Sequence, residues 1–246
     1  MSAAVLPLPQ RHTGPAESQS QRPAGRGTTI IAETIGDAWL DVAGLVLDKG
    51  VLSNWEGLPL LEVELVTLEV TRPDPDDTLI SRYASADWLA WMRANFTERT
   101  RVAALGDARS YASRIFDYAG TGKDQLAWVA DRLRRDPVTS NVTVTTFEPL
   151  TDTSYIPCVS LLDFWLRQGR LELVAYCHSI DFGKKGFGNL VQLAELQRHV
   201  AAELGVPVGA LVMIVKSATI YTTEVGPMRD AVTAAGPLVS RRQTPL

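Results

Sequence analysis

The amino-acid sequence predicts an α+β protein in which helices cover a large mixed β-sheet. Segments with helical spacing and segments with strand alternation are mixed without the strict βαβ order of a parallel sheet. Two strand-like segments within residues 158–179 are separated by Gln168-Gly169, which indicates an antiparallel hairpin. Several strand-like runs are apolar on both faces, so a sheet face without helices is expected to pack against a second copy of the chain.

The composition is typical of a soluble globular protein. The chain has 246 residues, 46% of them hydrophobic and 21% charged, and no apolar run is long enough to span a bilayer. The formal net charge of -4 gives no support for binding to nucleic acid or to an anionic membrane. Residues 1–28 are expected to form a flexible arm rather than a signal peptide. Two cysteines cannot build a disulfide framework, so a cytoplasmic setting is expected.

The N-terminal half is predicted to contain a helix, a strand and two further helices. Trp39 and Val46 fall on one face of a helix after Thr34, and Gly50 stands where the C-cap of that helix belongs. Apolar and acidic residues alternate over residues 60–71, which predicts a half-buried strand. Helices follow over residues 85–96, capped by Ser85, and over residues 123–135, which end before Asp136-Pro137.

The C-terminal half is predicted to supply most of the sheet. Residues 141–147 are dense in β-branched side chains, which favour a strand, and the hairpin follows them. Residues 190–204 repeat apolar side chains at helical spacing, and residues 209–221 form the last predicted strand.

Four short polar motifs follow one another at the predicted strand ends. They are Pro157-Cys158, the segment Tyr176–Asp181, the helix start Gly186–Asn189 and the segment Thr219–Tyr221. A free cysteine is most often a small buried apolar residue, and Cys177 is expected to be one. Cys158 is therefore a candidate functional residue because of the motifs that accompany it, not because it is a free cysteine.

The order and spacing of these motifs resemble thymidylate synthase and its relatives, the hydroxymethylases of CMP and dCMP. The motifs of that family are a P-C pair, an R-S-x-D turn, a P-F-N helix start and an H-x-Y strand. Leu105-Gly106, Tyr111 and Arg114 match a further family segment upstream. The resemblance implies a single catalytic domain over residues 29–246 and a homodimer through sheet faces. It also implies one-carbon transfer from 5,10-methylenetetrahydrofolate to carbon 5 of a pyrimidine nucleotide or nucleoside.

The resemblance also implies a role for each matching residue. Carbon 5 is a poor nucleophile until a thiolate adds at carbon 6, and Cys158 would be that thiolate. Asn189 would recognise the edge of the ring, Tyr111 would assist proton removal at carbon 5, and Asp181 would contact the pterin of the folate and help proton movement. The residues implied to bind the substrate are His178, Ser179, Asn189, Thr219 and Tyr221.

Purely structural roles stay open for the same side chains. Asp181 is also suited to capping a turn, Asn189 to capping a helix that starts at residue 190, and Tyr221 to packing in an apolar strand. Lys184 and Lys185 are equally well explained as solvated residues.

The sequence departs from the family where the phosphate is bound. His178, Ser140 and Asn141 stand at positions of phosphate-binding arginines, and Thr219 stands at the family's histidine. An arginine is permanently charged and bidentate, whereas a histidine is largely neutral near pH 7. Cys158 is therefore expected to ionise less readily unless His178 or a lysine substitutes. The change also favours a non-standard substrate, such as a ribonucleotide or an unphosphorylated nucleoside.

Two further features bear on the product. Only 25 residues follow Tyr221, without a match to the family segment that closes over the folate and excludes water, which favours hydroxymethylation over reductive methylation. Against this, Asn189 is the residue of uracil-specific members, whereas the deoxycytidylate hydroxymethylases of the family carry an acid at this position, so uracil and cytosine both stay open. One rival hypothesis is a catalytically inactive nucleotide-binding or interaction module, supported by the missing arginines. Another is a sheet-containing fold unrelated to this family.

Overall fold

Helices and strands alternate irregularly along the chain in the computed structural model, which describes residues 25–152, 155–236 and 244–245. In chain order the elements are β1 (Thr28–Ala32), α1 (Ile35–Lys49), β2 (Val51–Trp55), β3 (Leu58–Val70), α2 (Thr78–Tyr83), α3 (Ala86–Thr97), β4 (Arg101–Val102), β5 (Ala108–Arg109), α4 (Tyr111–Phe116), α5 (Gln125–Arg135), β6 (Thr143–Thr145), β7 (Val159–Arg167), β8 (Arg170–Cys177), β9 (Ile180–Asp181), α6 (Gly186–Leu204), β10 (Val208–Tyr221), α7 (Val225–Ala235) and β11 (Thr244–Pro245).

The described strands other than β4 and β5 form one large mixed sheet, while β4 and β5 pair with each other as a separate two-stranded sheet. The order of the large sheet is β11-β1-β3-β10-β8-β7-β6, while β2 pairs with β3 and β9 pairs with β10. β10 lies antiparallel to β3 and parallel to β8, and β7 and β8 form the predicted antiparallel hairpin. The α+β architecture with a large mixed sheet under helices is therefore confirmed. Within the described segments, no helix is long and apolar enough to cross a membrane.

The helix α1 shows why the local predictions succeeded. The Thr34 side chain accepts a hydrogen bond from the Asp37 backbone nitrogen at 3.2 Å, and the Gly50 nitrogen donates to the Val46 carbonyl at 2.9 Å. Both ends are thus capped by the residues that the sequence pattern indicated. The buried Trp39 indole donates to the Phe182 carbonyl at 2.8 Å, which ties α1 to the loop before α6.

The two faces of the sheet differ in what covers them. α1 and α6 pack against one face, over β3, β8 and β10, and the main hydrophobic core lies between them. On the opposite face, Leu161, Tyr176 and Ile214 form a row across β7, β8 and β10, with 37% to 40% of each residue exposed. The described part of the chain leaves this row uncovered. We refer to these three residues as the exposed sheet row.

Some boundaries differ from the predictions because side-chain hydrogen bonds end the strands. The strand predicted over residues 141–147 is confined to β6. The Phe147 nitrogen bonds to the Thr145 side chain at 3.0 Å instead of to a neighbouring strand, and the Thr146 hydroxyl donates to the Val159 carbonyl. The backbone groups after β6 are therefore satisfied without a longer ladder.

The last residues of the predicted N-terminal arm belong to the folded part. The Gly27 nitrogen donates to the Glu64 carbonyl at 3.2 Å, and Thr28 is the first residue of β1. Residues 1–24 of the predicted arm lie outside the described residues. β1 pairs in parallel with β3, a long-range contact that a short apolar segment does not reveal locally.

Candidate active site

The candidate site forms where β7 begins and β8, β9 and β10 end. Cys158 immediately precedes β7 and is half-buried, and its carbonyl accepts a hydrogen bond from the His178 nitrogen at 3.0 Å. β9 pairs in parallel with β10, so that Asp181 lies opposite Thr219. The Phe182 nitrogen continues this pairing through a 2.8 Å bond to the Thr219 carbonyl. Three of the four polar motifs are thereby brought together at one end of neighbouring strands.

Tyr111 lies at the start of α4 and contacts the residue that follows the cysteine. Its ring stacks on Phe96 with centroids 4.3 Å apart, and its backbone nitrogen donates to the Asn95 side chain at 3.1 Å. Its hydroxyl accepts a 2.9 Å hydrogen bond from the Val159 nitrogen. Burial raises the pKa of Tyr111 well above its ordinary value, and negative charge on Cys158 raises it further. The phenol is therefore held in its protonated form.

Burial dominates the ionisation of both cysteines. Burial raises the pKa of the Cys158 thiol, the positive charge of Lys185 lowers this pKa, and the negative charge of Asp181 raises it. Cys177 is completely buried, and burial raises its pKa well above the ordinary value. The expectation that Cys177 is a core residue is confirmed, while Cys158 combines partial exposure with charged neighbours.

Asp181 has a carboxyl group whose proton is exchangeable near neutral pH. Burial raises the pKa of Asp181 to about 6, against the opposing effects of the Gly183 nitrogen and the charge of Lys185. Its Oδ1 accepts the Gly183 hydrogen bond at 3.0 Å. The structural role considered for Asp181, capping a turn, is therefore present. It coexists with a pKa typical of a proton-transfer group.

Asn189 lies in the first turn of α6 and is buried. Its Nδ2 donates to the Lys185 carbonyl at 3.2 Å. The helix begins at Gly186 rather than at residue 190, so the hypothesis that Asn189 is the N-cap is wrong. α6 approaches α3 closely because Gly188 has no side chain; a Cβ there would lie 2.6 Å from the Cγ of Met92.

Lys185, the residue before α6, extends its ammonium group over two tryptophans of α3. The Nζ lies 5.5 Å from the ring centroid of Trp88 and 5.2 Å from that of Trp91. Both distances are within the range of cation–π attraction. Lys184 takes a different partner, with its Nζ 3.1 Å from a carboxylate oxygen of Glu224. The two adjacent lysines therefore differ in their surroundings, and both are half-buried rather than fully solvated.

The remaining residues implied to bind the substrate surround this edge. The Thr219 hydroxyl donates to the Ile180 carbonyl at 3.2 Å, so its hydrogen is used within the sheet. Tyr221 ends β10, and its pKa is raised by burial and then by the negative charges of Asp181 and Cys158. Ser179 is half-buried between β8 and β9.

His178 does not replace a permanently charged arginine. Burial lowers the pKa of its imidazole, and the positive charge of Lys216 lowers it further. The ring is therefore neutral at physiological pH, as the sequence suggested. Of the two substitutes considered for the missing arginine, His178 is neutral, whereas the positive charge of Lys185 lowers the pKa of Cys158.

A family model described as thymidylate synthase matches residues 71–238, which is more than half of the chain. The chain belongs to the thymidylate synthase family. This membership agrees with the mixed sheet and with the site at its edge, and it excludes the hypothesis of an unrelated fold.

Several named proteins are similar in sequence to this thymidylate synthase family member. A protein named "putative thymidylate synthase" from Methanosarcina barkeri is 28% identical over 203 residues, covering 79% of this chain and 90% of the relative. Another with that name, from Methanothermobacter thermautotrophicus, is 39% identical over 118 residues, covering 47% and 52%. The deoxyuridylate hydroxymethyltransferase of Bacillus phage SP01 is 32% identical over 142 residues, covering 55% of this chain and 35% of the phage protein.

The structure adds residues to the site that sequence reasoning did not identify. Trp88 and Trp91 are three apart in a predicted helix, and this spacing alone places them on one face. Tyr155 is half-buried near the cysteine; burial raises its pKa, and negative charge on Cys158 raises it further. Arg114, which the family resemblance included, is fully buried and forms two bonds to the Asp152 carboxylate, at 2.6 and 2.8 Å. This arginine is thus committed to a structural ion pair.

Proposed function

We propose that the protein transfers a one-carbon unit from 5,10-methylenetetrahydrofolate to carbon 5 of a pyrimidine nucleotide or nucleoside and that the product is hydroxymethylated. The observation that carries the proposal is the convergence of Cys158, Asp181 and Tyr221 at one end of the strands: Cys158 precedes β7, Asp181 ends β9 opposite Thr219, and Tyr221 ends β10. In the overall reaction, the pyrimidine, 5,10-methylenetetrahydrofolate and one water give the hydroxymethyl pyrimidine and tetrahydrofolate. Neither an oxidant nor a reductant is needed.

Cys158 is the nucleophile in this proposal. Its thiol loses a proton, and the sulfur adds to carbon 6 of the ring. The electrons of the carbon 5–carbon 6 double bond then make carbon 5 nucleophilic, with charge shared by the ring oxygen. Carbon 5 bonds to the methylene carbon and loses its proton to a base, the bond from that carbon to the folate nitrogen breaks, and water adds to the carbon. The sulfur then leaves carbon 6 and the carbon 5–carbon 6 double bond is restored. The half-buried position of Cys158 at the sheet edge supports this role.

Asp181 transfers protons in this proposal, and Tyr111 orients a group that does so. A carboxyl group with a pKa of about 6 accepts and releases a proton near neutral pH without a large energetic cost. The Tyr111 oxygen accepts from the Val159 nitrogen and keeps its own hydrogen. That hydrogen is suited to orienting a water or base that removes the proton from carbon 5.

The side chains around Lys185 are suited to binding a reduced folate. Trp88 and Trp91 are half-buried and offer aromatic surface for a flat ring, while Lys185 offers a positive charge that suits an anionic ligand. When bound, the folate supplies a methylene group at the oxidation level of formaldehyde. Asp181 is the carboxyl group suited to a hydrogen bond with the pterin.

Two observations support the product and the oligomeric state that we propose. The relative from Bacillus phage SP01 is named for hydroxymethyl transfer to deoxyuridylate, which supports a hydroxymethyl product here. The exposed sheet row of Leu161, Tyr176 and Ile214 is an apolar surface that pairing of two sheets would bury, which supports a homodimer.

A second candidate function is a catalytically inactive nucleotide-binding module. The raised pKa of Cys158 and the neutral His178 favour it, because both reduce the amount of thiolate near pH 7. The joint presence of Asp181, Asn189 and Tyr111 with the cysteine opposes it.

A mass spectrum of the product separates the two candidates. The protein is mixed with methylenetetrahydrofolate and a panel of uracil and cytosine nucleosides, ribonucleotides and deoxyribonucleotides. A gain of CH2O on one pyrimidine is expected, and this gain should vanish in Cys158→Ala and persist in Cys177→Ala. A gain of CH2 would indicate methylation instead. No gain on any member of the panel would favour the inactive module.

A further inference from the structure

Lys185 is a cation held by aromatic rings at the edge of the candidate site. Its Nζ lies over Trp88 and Trp91, whose own ring centroids are 5.8 Å apart at an interplanar angle of 75°. Its neighbour Lys184 is instead paired with Glu224. Aromatic faces attract an ammonium group and shield it from water, so its electrostatic effect on nearby groups is less screened than that of a surface lysine.

The backbone of Lys185 is fixed on both sides. Its nitrogen donates to the Asp181 carbonyl at 3.0 Å, and its carbonyl accepts from the Asn189 nitrogen at 2.9 Å and from the Asn189 side chain at 3.2 Å. The close contact between Gly188 and Met92 sets the distance between α6 and α3. Lys185 and the two tryptophans are therefore brought together by helix packing rather than by a mobile surface loop.

Cys158 and Lys185 lie at the same end of the central strands: the Cys158 carbonyl accepts from the His178 nitrogen after β8, and the Lys185 nitrogen donates to the carbonyl of Asp181, which pairs with Thr219 near the end of β10. The charged and titratable groups around the Cys158 thiol come from several elements. They are Tyr111 on α4, Tyr155 before β7, Cys177 on β8, Asp181 on β9, Lys185 before α6 and Tyr221 at the end of β10. The tyrosines and Cys177 are uncharged at neutral pH because burial raises their pKa values. Asp181 opposes a thiolate when it is ionised, whereas Lys185 favours one.

We propose that Lys185 is a positioning residue that stabilises the thiolate of Cys158 and that the Trp88–Trp91 pair holds its ammonium group in place. The inference rests on the proposed function, since a nucleophilic role is what requires a thiolate. It assigns to one lysine, bound by aromatic rings, the task for which His178 is unsuited because it is neutral.

The pH dependence of alkylation by iodoacetamide tests the inference directly. The rate at Cys158 is followed by peptide mass spectrometry between pH 6 and pH 10, for the full chain and for Lys185→Met. Loss of a nearby opposite charge raises a pKa by about one unit or more, so the midpoint should rise by about one pH unit and the rate at pH 7 should fall by about tenfold. Lys185→Arg should restore the midpoint, and Lys184→Met, the matched control, should leave it unchanged.

An unchanged midpoint in Lys185→Met, or an equal shift in Lys184→Met, would overturn the inference. Circular dichroism of each variant establishes folding; if Lys185→Met does not fold, Lys185→Gln provides the same charge removal with a polar side chain. Alkylation needs neither pyrimidine nor folate. A raised alkylation midpoint in Lys185→Met without product formation would therefore reject the proposed function alone. Product formation by the unmodified protein with an unchanged midpoint in Lys185→Met would reject this inference alone.

Discussion

The hydroxyl of Tyr111 accepts a hydrogen bond from the backbone nitrogen of Val159 at 2.9 Å. Val159 directly follows Cys158, is 1% exposed and is the first residue of β7. This bond therefore fixes the start of β7 against α4. The tyrosine itself is held by stacking on Phe96 and by the Asn95 side chain. The position of the candidate nucleophile therefore depends on packing between α3, α4 and β7.

Replacing Tyr111 by phenylalanine should destabilise the protein. The change leaves the buried Val159 nitrogen without its acceptor, which costs about 1 to 3 kcal/mol. Urea denaturation followed by circular dichroism measures the change in the free energy of unfolding. The matched control is Tyr83→Phe, which loses an exposed hydroxyl bond to the Ala234 carbonyl. Equal stability of the two variants would contradict the role given to the Tyr111 hydroxyl.

Asp181 should make the stability fall as the pH rises from 4 to 7. Its pKa is about 6 in the folded protein and 3.8 in the unfolded reference, so the folded state holds the proton more tightly in this interval. The contribution of the protonated Asp181 carboxyl group to the free energy of unfolding is complete below pH 4 and is lost as the pH rises past 6. A shift of this size corresponds to about 2 to 3 kcal/mol.

The variant Asp181→Asn removes this dependence. Its free energy of unfolding, measured in urea at several pH values, should rise relative to that of the unmodified chain by about 2 to 3 kcal/mol between pH 4 and pH 7. A difference between the two proteins that stays constant over this interval would show that the carboxyl group is not perturbed.

The exposed sheet row should mediate self-association. Ile214→Lys places a charge at the β10 end of this row, and the cost of burying an unpaired charge should weaken a dimer more than about tenfold. Sedimentation equilibrium should give twice the chain mass for the unmodified protein and a large monomer fraction for the variant. Leu52→Lys, on the exposed hairpin strand β2, is the control and should remain dimeric. A monomeric unmodified protein would contradict the proposed pairing of sheets.

Local signals explain which parts of the fold could be predicted. The start of α1 at Thr34, the start of α3 at Ser85 and the turn at Gln168-Gly169 depend on neighbours in the chain, and the structure confirms all three. Polar motifs at strand ends likewise led to Cys158 and Asp181. The short strand β1 was not predicted, because its pairing with β3 is long-range.

The electrostatic environment of the site could not be predicted, because it is set by tertiary packing. Lys185 and Lys184 are adjacent and chemically identical in the sequence, yet one contacts tryptophans of α3 and the other pairs with Glu224. Similarly, the raised pKa of Asp181 follows mainly from its burial, which depends on elements distant in the chain.

The release of tritium from carbon 5 of labelled pyrimidines tests most directly whether Cys158 adds to carbon 6. Uracil and cytosine substrates labelled at carbon 5 are incubated with the protein and methylenetetrahydrofolate, and tritiated water is counted. We expect release by the unmodified protein and by Cys177→Ala, whose cysteine is buried in the core, and no release by Cys158→Ala. Release that persists in Cys158→Ala, or its absence from the unmodified protein with every substrate, would contradict the proposed chemistry.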